Sequence, residues 1–537
     1  MKESNRFCLE GTDRHPIRGA TEVGLIESDE FVAVSFWLAT SSPGLKDEAD
    51  RMAAKPIRDR AYYSREALQT KYPPDPEGLD AVLAFARRNG LEVLPRGTTE
   101  SLLHMVVPAS EVKDLLGTEL KTYRILDGKT YRGRTGKIWL PKEDFAPSAR
   151  SKIRGVFGLD NRCQADRSQA FAGDSTFSLE RSSPLLYGLS DSGKGDGQCI
   201  GILEFGGCLT NKDMPAVFGT KNATNASVVV PKPFAAHDTA KFQQESELDA
   251  QIVQGFVPNA KKVFYVVPNT EQGWISALQQ IVSDTTNSPS VVSISWGYFE
   301  TEDGTGNLPY WTCSGFEAME EFLARATLLG ITVCCCTGDE GAGGPPPTGP
   351  RVYYPASSRY VLSCGGTEPN GATQKVWCSS RGASGGGISN VIPIPPWQNI
   401  PAVKVTSNNL GRPACALDGR RIPDVAALAN ANIINVAPAS GTSAAAPLWA
   451  ALIVMANQQI QATGTSKTVG NLTTLLYDQS SGLQGACTDI VCGTNAIPCW
   501  NTACYEATSG WDACTGWGTP QAINFIAALS RSALPVN

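Results

Sequence analysis

Ser443 lies in the string SGTSAAAP, residues 440–447, ahead of an apolar run that continues to Ile460. Gly441 and Thr442 predict a tight turn, and the run predicts a long helix with Pro447 in its first turn, where a missing N–H costs nothing. A serine there is presented at the positive end of a helix, a suitable place for a nucleophile that passes through an oxyanion. An isolated serine at that position would only cap the helix. A serine nucleophile also needs a group to take its proton, and histidine is the usual one near neutral pH. The chain has three histidines, His15, His104 and His237. His237, the only one beyond residue 165, sits in the polar segment AAHDTA and reads as a loop residue.

Carboxyl groups offer another acceptor. Along QQESELDAQIVQGF, residues 243–256, a helix turning about 100° per residue places Asp249 about 40° from Glu245, in one stripe with Leu248, Ile252, Val253 and Phe256. Glu247 falls about 200° away, on the polar face. Burial beside a like charge raises a carboxyl pKa, so a Glu/Asp pair facing the core can serve as an acid–base device. In CCCTGDEGAGG, residues 334–344, an apolar strand ends in Gly338-Asp339. A protonated aspartic acid there could donate a hydrogen bond to a tetrahedral oxyanion, although a loop aspartate is also a common turn residue. Glu204, in ILEFGG, stands at the end of another apolar strand and alone would pass as a capping acid.

The elements around these residues predict an α/β protein. From residue 198 the chain repeats apolar strands (QCIGILEF, KKVFYVV, SVVSISWG, ITVCCC) and amphipathic helices (around 240–257, GWISALQQIVSD, FEAMEEFLARATLLG). Continuous apolar strands separated by helices indicate a parallel sheet covered on both faces, with active sites at the strands' carboxyl ends. Residues 1–165 alternate strand-like FVAVSFWLA, SLLHMVVP and TELKTYRIL with helix-like SREALQTKY, LDAVLAFARRNG and ASEVKDLLG, which predicts a small α+β sandwich. Charge density supports a boundary, because residues 1–165 hold 50 charged side chains and the other 372 hold 48. Three segments follow: 1–165, a polar cleavable linker at 166–183, and 184–537. A net charge of −6 without a long basic run argues against a nucleic-acid partner, and no apolar run is long enough for a membrane span.

Of 16 cysteines only Cys8 and Cys163 precede residue 166. That density, with sequons at Asn222, Asn225 and Asn471, favours an oxidising compartment with some disulfides. The opening MKESNRFCLEGTDRHPIRGA instead carries charges where a signal peptide has its apolar region, so no signal peptide is visible. Cys487, Cys492, Cys499, Cys504 and Cys514 have spacings unlike a zinc site, and disulfide bracing is expected there. Cys334–Cys336 read as small core residues.

The GTS segment resembles the nucleophile segment of subtilisin-like peptidases, yet the chain has no HGT-type histidine motif. ESELD, TGDEG and SGTSAAAP together, with SISWG, YYPASSRYVLSCGGT, SGGGIS and RRIPDVAA, resemble the sedolisins, or serine-carboxyl peptidases, in their kumamolisin-like branch with an attached prodomain. The resemblance covers nearly the whole chain. It implies a subtilisin-like sheet, Ser443 as nucleophile, Glu245 as general base and acid, Asp249 as its supporting acid and Asp339 as oxyanion donor. Glu204 and Trp296 would extend the network. It also implies one Ca²⁺ held by the carboxylates of Asp489 and Asp512 and the carbonyls of Ile490, Thr508 and Gly510, with Thr508 where the family usually has glycine. The activity so implied is an acid-active endopeptidase on protein or peptide substrates, made as a self-processing zymogen. Its 1–165 prodomain would act as intramolecular inhibitor, and the enzyme would be a monomer in a secreted or acidic vacuolar or lysosomal setting. A tripeptidyl aminopeptidase of the same fold is the alternative, and an inactive peptide-binding pseudopeptidase a further one.

Overall fold

The computed structural model describes residues 5–95, 97, 100–167, 193–206, 223–235, 243–301, 310–343, 351–400, 418–431, 439–498 and 504–535, with 187, 211–212, 214, 218 and 405–406 between them. Residues Phe31–Leu38 form β1, Leu45–Ala53 α1, Pro76–Arg88 α2, Leu102–Pro108 β2 and Ile153–Phe157 β3. The central β1 pairs antiparallel with β2 on one side and β3 on the other. Asp75 caps α2 by accepting from the Gly78 N–H, and Pro76 takes the first helical position, where φ is already right for a helix. Val34 and Phe36 of β1 pack with Val82 and Phe85 of α2 in a core of their own. The α+β expectation for this part holds.

The remainder is built on one eight-stranded sheet. Asp166–Arg167 form β4, a short strand outside that sheet. Cys199–Phe205 form β5, Ala226–Val229 β6, Gln243–Phe256 α3, Lys261–Val267 β7, Glu271–Ser283 α4, Val291–Ile294 β8 and Trp296–Phe299 β9. Cys313–Leu328 follow as α5, Thr332–Cys336 as β10, Val361–Asn370 as β11, Thr373–Val376 as β12, Val425–Leu428 as β13, Ala445–Ala462 as α6 and Ala522–Ala533 as α7. The strand order is β6-β7-β5-β8-β10-β11-β12, with β13 also on β11, and every pair is parallel except β11 with β12. Successive residues feed opposite faces: Ile200 and Ile202 join the cluster containing α3, α6 and α7, while Leu203 and Phe205 join the one containing α4 and α5. Burial on both faces is why these strands read as unbroken apolar runs.

The two parts share a contact face. Helix α1 packs on α5, and Trp37, Leu45 and Met52 enter the same apolar cluster as Phe322 and Leu323. Arg60 is fully buried and donates to the carbonyls of Val469 and Asn471, both at 2.7 Å. Arg14 pairs with Glu271 of α4 at 3.0 Å, with both side chains buried.

Two expectations need correction. Cys487, Cys492 and Cys514 are free thiols rather than bridges, and Cys499 lies outside the described residues. The buried Cys487 and Cys514 thiols are turned onto backbone carbonyls, of Leu483 and Tyr505 respectively. Asn471 is buried, its Oδ1 accepting from the Thr473 N–H, so that sequon offers no acceptor in the folded chain; Asn225 is exposed and Asn222 lies outside the described residues. Cys334, Cys335 and Cys336 are core residues of β10, as expected. Of the 166–183 linker, only β4 is described, and His237 also falls outside the described residues.

Candidate active site

Five elements deliver their residues to the carboxyl ends of the central strands. Glu204 comes from the end of β5, Glu245 and Asp249 from α3, Trp296 from the start of β9, Asp339 from just beyond β10, and Ser443 from the turn before α6. Gly441 is followed by a 3-10 turn, Thr442–Ala444, that runs directly into α6, and α3 packs on this turn. Glu204, Glu245, Asp249, Asp339 and Ser443 are all at most 2% exposed, while Glu247 is only half-buried, as its place on the polar face requires.

Hydrogen bonds gather these residues into three groups: Ser443 with Ser295 and Asp249, Trp296 with Glu204, and Thr442 with Asp339. Ser443 Oγ lies 3.3 Å from the carbonyl of Ser295. Ser295 Oγ lies 2.8 Å from both carboxyl oxygens of Asp249 and 3.2 Å from the Ser443 carbonyl. The indole Nε1 of Trp296 donates to Glu204 Oε2 at 3.1 Å. Asp339 Oδ1 accepts from the Thr442 N–H at 2.7 Å and from its hydroxyl at 2.9 Å. Asp339 Oδ2 has no hydrogen-bond partner and lies against Gly441, where a Cβ would come within 2.6 Å of it.

Burial sets the protonation of these acids. It pushes Glu204 up to about 8, helped by the charge of Glu245, with the Trp296 bond opposing. Asp249 is raised well above its ordinary value by burial and by its neighbours Glu204 and Glu245, against the bonds from Ser295. Asp339 is also raised well above, by burial first, against the two Thr442 bonds, with the charge of Glu245 adding to the rise. The charge of Glu245 therefore acts on all three. Such a constellation can move a proton from a hydroxyl and offer a neutral O–H to an oxyanion.

The described histidines take no part in this. His104 is buried on β2, bonded to Ser35 Oγ at 2.7 Å, and burial lowers it to about 4. His15 is exposed beside Asp13. Reading the sequence alone missed Thr442 and Ser295, which hold Asp339 and Asp249. The signal for Thr442 was its place beside the nucleophile; Ser295 carried none beyond adjoining Trp296.

Elsewhere Asp489 meets Gly510 and Thr508 meets Asp512, with Ile490 next to Asp489 in the chain. The Gly510 N–H donates to Asp489 Oδ2 at 2.8 Å, and the Thr508 N–H to Asp512 Oδ2 at 3.1 Å. Asp512 Oδ1 is oriented by the N–H groups of Cys514 and Thr515, each at 2.9 Å. Among the described residues no group of three or more histidine, cysteine or acidic side chains gathers as a metal cluster. Two carboxylates supplemented by carbonyls form a hard, all-oxygen donor set, whose chemistry fits Ca²⁺. The loop also abuts the active site: Ser384 Oγ donates to the Cys514 carbonyl at 2.7 Å, and the Gly385 N–H to the Gly338 carbonyl at 2.8 Å.

Comparison with known proteins gives the chain a family. Residues 18–162 match the pro-kumamolisin activation domain and residues 233–496 the subtilase family. The chain is 30% identical to kumamolisin of Bacillus sp. (strain MN-32), over 99% of this chain and 98% of that one. It is 25% identical to tripeptidyl-peptidase sed5 of Aspergillus fumigatus, over 98% of this chain and 97% of that one. Among solved structures, Pseudomonas sedolisin, a serine-carboxyl proteinase, superposes with a TM-score of 0.53 at 23% identity, covering 67% of this chain and all of that one. The chain is therefore a member of the sedolisin family, the serine-carboxyl peptidases, with an activation domain ahead of a subtilisin-like peptidase domain.

Proposed function

We propose that the protein is an acid-active endopeptidase, made as a zymogen that processes itself, in which Glu245 does the work of the histidine base. Ser443 Oγ attacks the scissile carbonyl and its proton passes to Glu245. Glu204 and Asp249, kept protonated by burial, support Glu245 without competing for that proton. Asp339 donates its Oδ2 proton as a hydrogen bond to the new oxyanion. Collapse expels the amine, which takes the proton from Glu245; water then attacks the acyl ester on Ser443, Glu245 again accepts and returns a proton, and the serine is restored.

One observation carries this reading. Asp339 is anchored through one oxygen by Thr442, next to the nucleophile, while its other oxygen is buried without a partner. A buried polar atom left unbonded costs about 1–3 kcal/mol, a cost that an oxyanion would remove. The pH window follows from the sign of the shift. Activity requires Asp339 protonated, so it is lost as pH rises through the Asp339 pKa, which burial moves upward from the ordinary carboxylate value. An acidic extracellular, vacuolar or lysosomal setting suits that window, and the enzyme is proposed to act as a monomer on proteins and peptides.

The reading extends to residues 1–165 as an inhibitory prodomain and 166–183 as the segment cut on maturation. One Ca²⁺ would be held by the carboxylates of Asp489 and Asp512 and the carbonyls of Ile490, Thr508 and Gly510. Such an ion supplies structural bracing only. Incubating the purified chain at about pH 4, the ordinary carboxylate range, should produce a shortened chain with a new N-terminus, whereas Ser443→Ala should stay full length. A Ser443→Ala chain that matures by itself would defeat the proposal.

A further inference from the structure

We infer that Asn269 is a substrate-binding residue that clamps the backbone of the peptide four positions before the scissile bond, which makes the cleft that of an endopeptidase rather than of an enzyme releasing tripeptides. The inference rests on the peptidase reading above and deepens it.

The geometry comes from the chain's own segment entering the site. β4 pairs antiparallel with the edge of β9, Asp166 opposite Gly297 and Arg167 opposite Trp296. One step further along the same edge is Ser295, whose carbonyl lies 3.3 Å from Ser443 Oγ. A peptide laid on β9 in this register therefore presents, opposite Ser295, the residue whose carbonyl the nucleophile attacks. Counting back from that residue, Arg167 and Asp166 mark the second and third positions, and Ala165 the fourth. This is an added strand on an exposed edge, where main-chain hydrogen bonds supply binding irrespective of sequence.

Asn269 grips that fourth position from both sides. Its Oδ1 accepts from the Ala165 N–H at 3.0 Å, and its Nδ2 donates to the Ala165 carbonyl at 2.6 Å. Oδ1 also accepts from the Gln164 N–H at 3.2 Å. A side-chain amide that satisfies the N–H and C=O of one residue reproduces a rung of a β-ladder, without reading a side chain. Asn269 stands just beyond the carboxyl end of β7 and just ahead of Thr270, which caps α4 by accepting from the Gly273 N–H at 3.1 Å. The amide is thus mounted on a rigid strand-to-helix turn. Beside it Trp296, Tyr298 and Tyr310 form, with Asn269 itself, the peptidase-side wall of a cavity of about 610 Å³ whose remaining lining comes from residues 17–165, so once that part has left they stand as an open aromatic wall next to the fourth position. An enzyme that cuts after a free tripeptide has no residue to place there.

The test uses the processed enzyme and amino-free peptides with three, four or five residues before one common scissile bond. Wild type should gain about tenfold to a hundredfold in kcat/KM between three and five residues, the yield of two net hydrogen bonds. Asn269→Ala should lose that gain, so that its kcat/KM changes little from three residues to five. Replacing the fourth residue's N–H by an ester oxygen in the longest peptide should cost wild type several-fold and Asn269→Ala nothing. Equal gains in both proteins, or fastest cleavage of the three-residue peptide, would overturn the clamp. A wild type that cleaves no peptide of any length would overturn the peptidase reading itself.

Discussion

Asp339→Asn is the most informative single substitution in this molecule. The side chain keeps its shape, and Oδ1 can still accept from the N–H and hydroxyl of Thr442 at 2.7 and 2.9 Å. The group beside Gly441 becomes an amide N–H₂, a donor that cannot ionise. On the proposed mechanism, wild-type Asp339 donates only while protonated, and once ionised it would repel the forming oxyanion. If burial of Asp339 sets the alkaline limit, the Asn variant should work within about tenfold of wild type at the acidic optimum. Its alkaline limb should extend upward by about one pH unit or more, since one unit corresponds to about 1.4 kcal/mol between the two protonation states. Asp339→Ala should lose about 10²–10³ in turnover, or roughly 3–4 kcal/mol, by removing an oxyanion donor. It should also lower stability by about 1–3 kcal/mol, because the buried Thr442 N–H loses its acceptor. The assay is kcat/KM on one peptide from about pH 2 to 8, across the carboxylate range, with the melting temperature of each variant recorded in parallel. An Asn profile that closes at the same pH as wild type, or full turnover in Asp339→Ala, refutes the reasoning.

The other expectations concern neighbouring parts. Gly441→Ala places a Cβ 2.6 Å from Asp339 Oδ2, so turnover should fall on the order of a hundredfold with little change in the melting temperature. Glu271→Gln removes the carboxylate that Arg14 meets at 3.0 Å across the contact face, leaving it the more distant charge of Asp160, a loss of up to about 3–5 kcal/mol for such buried pairs. Self-processing followed on gels should then start at least about one pH unit higher than in wild type, and an unchanged onset would clear this pair of any part in docking. Asp160 lies behind that pair: burial alone would raise it, but Arg14 and Arg162 outweigh that and hold it low. A depressed carboxyl stabilises fully above its ordinary pKa and stops doing so as pH falls through the lowered one, so the fold of residues 1–165 around Arg14 should lose stability below about pH 4. Chelation should lower the melting temperature of wild type, by the equivalent of about 2.7 kcal/mol if the ion was at a hundred times its Kd, and should leave Asp489→Ala unmoved. Identical melting with and without chelator would remove Ca²⁺ from the account.

How far the sequence alone could be read depended on distance along the chain. The stripe carrying Glu245 and Asp249 was legible because helical period is a local property, and the strand leading to Asp339 because its apolar run ends at Gly338-Asp339. Ser295 and Thr442 were harder: their bonds to Asp249 and Asp339 join residues 46 and 103 positions apart, and no spacing announces them. Asn269 carries no motif at all, and its role depends on a segment 104 residues away. The expected disulfides failed at Cys487 and Cys514 because proximity in sequence does not set the direction of a thiol, and both point at carbonyls. The Asn471 sequon misled for a related reason, since a three-residue pattern does not register burial.

Severing the chain between the two parts is not the same event as separating them. Arg60 is locked onto the Val469 and Asn471 carbonyls, Arg14 onto Glu271, and Trp37, Leu45 and Met52 sit in an apolar cluster shared with α5. None of these contacts runs through the linker. A nicked molecule would keep its own inhibitor in place, held as one protein holds another, and would wake on a second, slower clock set by dissociation. That clock would answer to dilution and salt, whereas the first, on the proposed mechanism, would be set by the chemistry of Ser443 and the pH that permits it. A population cut to completion could still be silent, and the interval between the two events would give the molecule time to travel before it begins to digest.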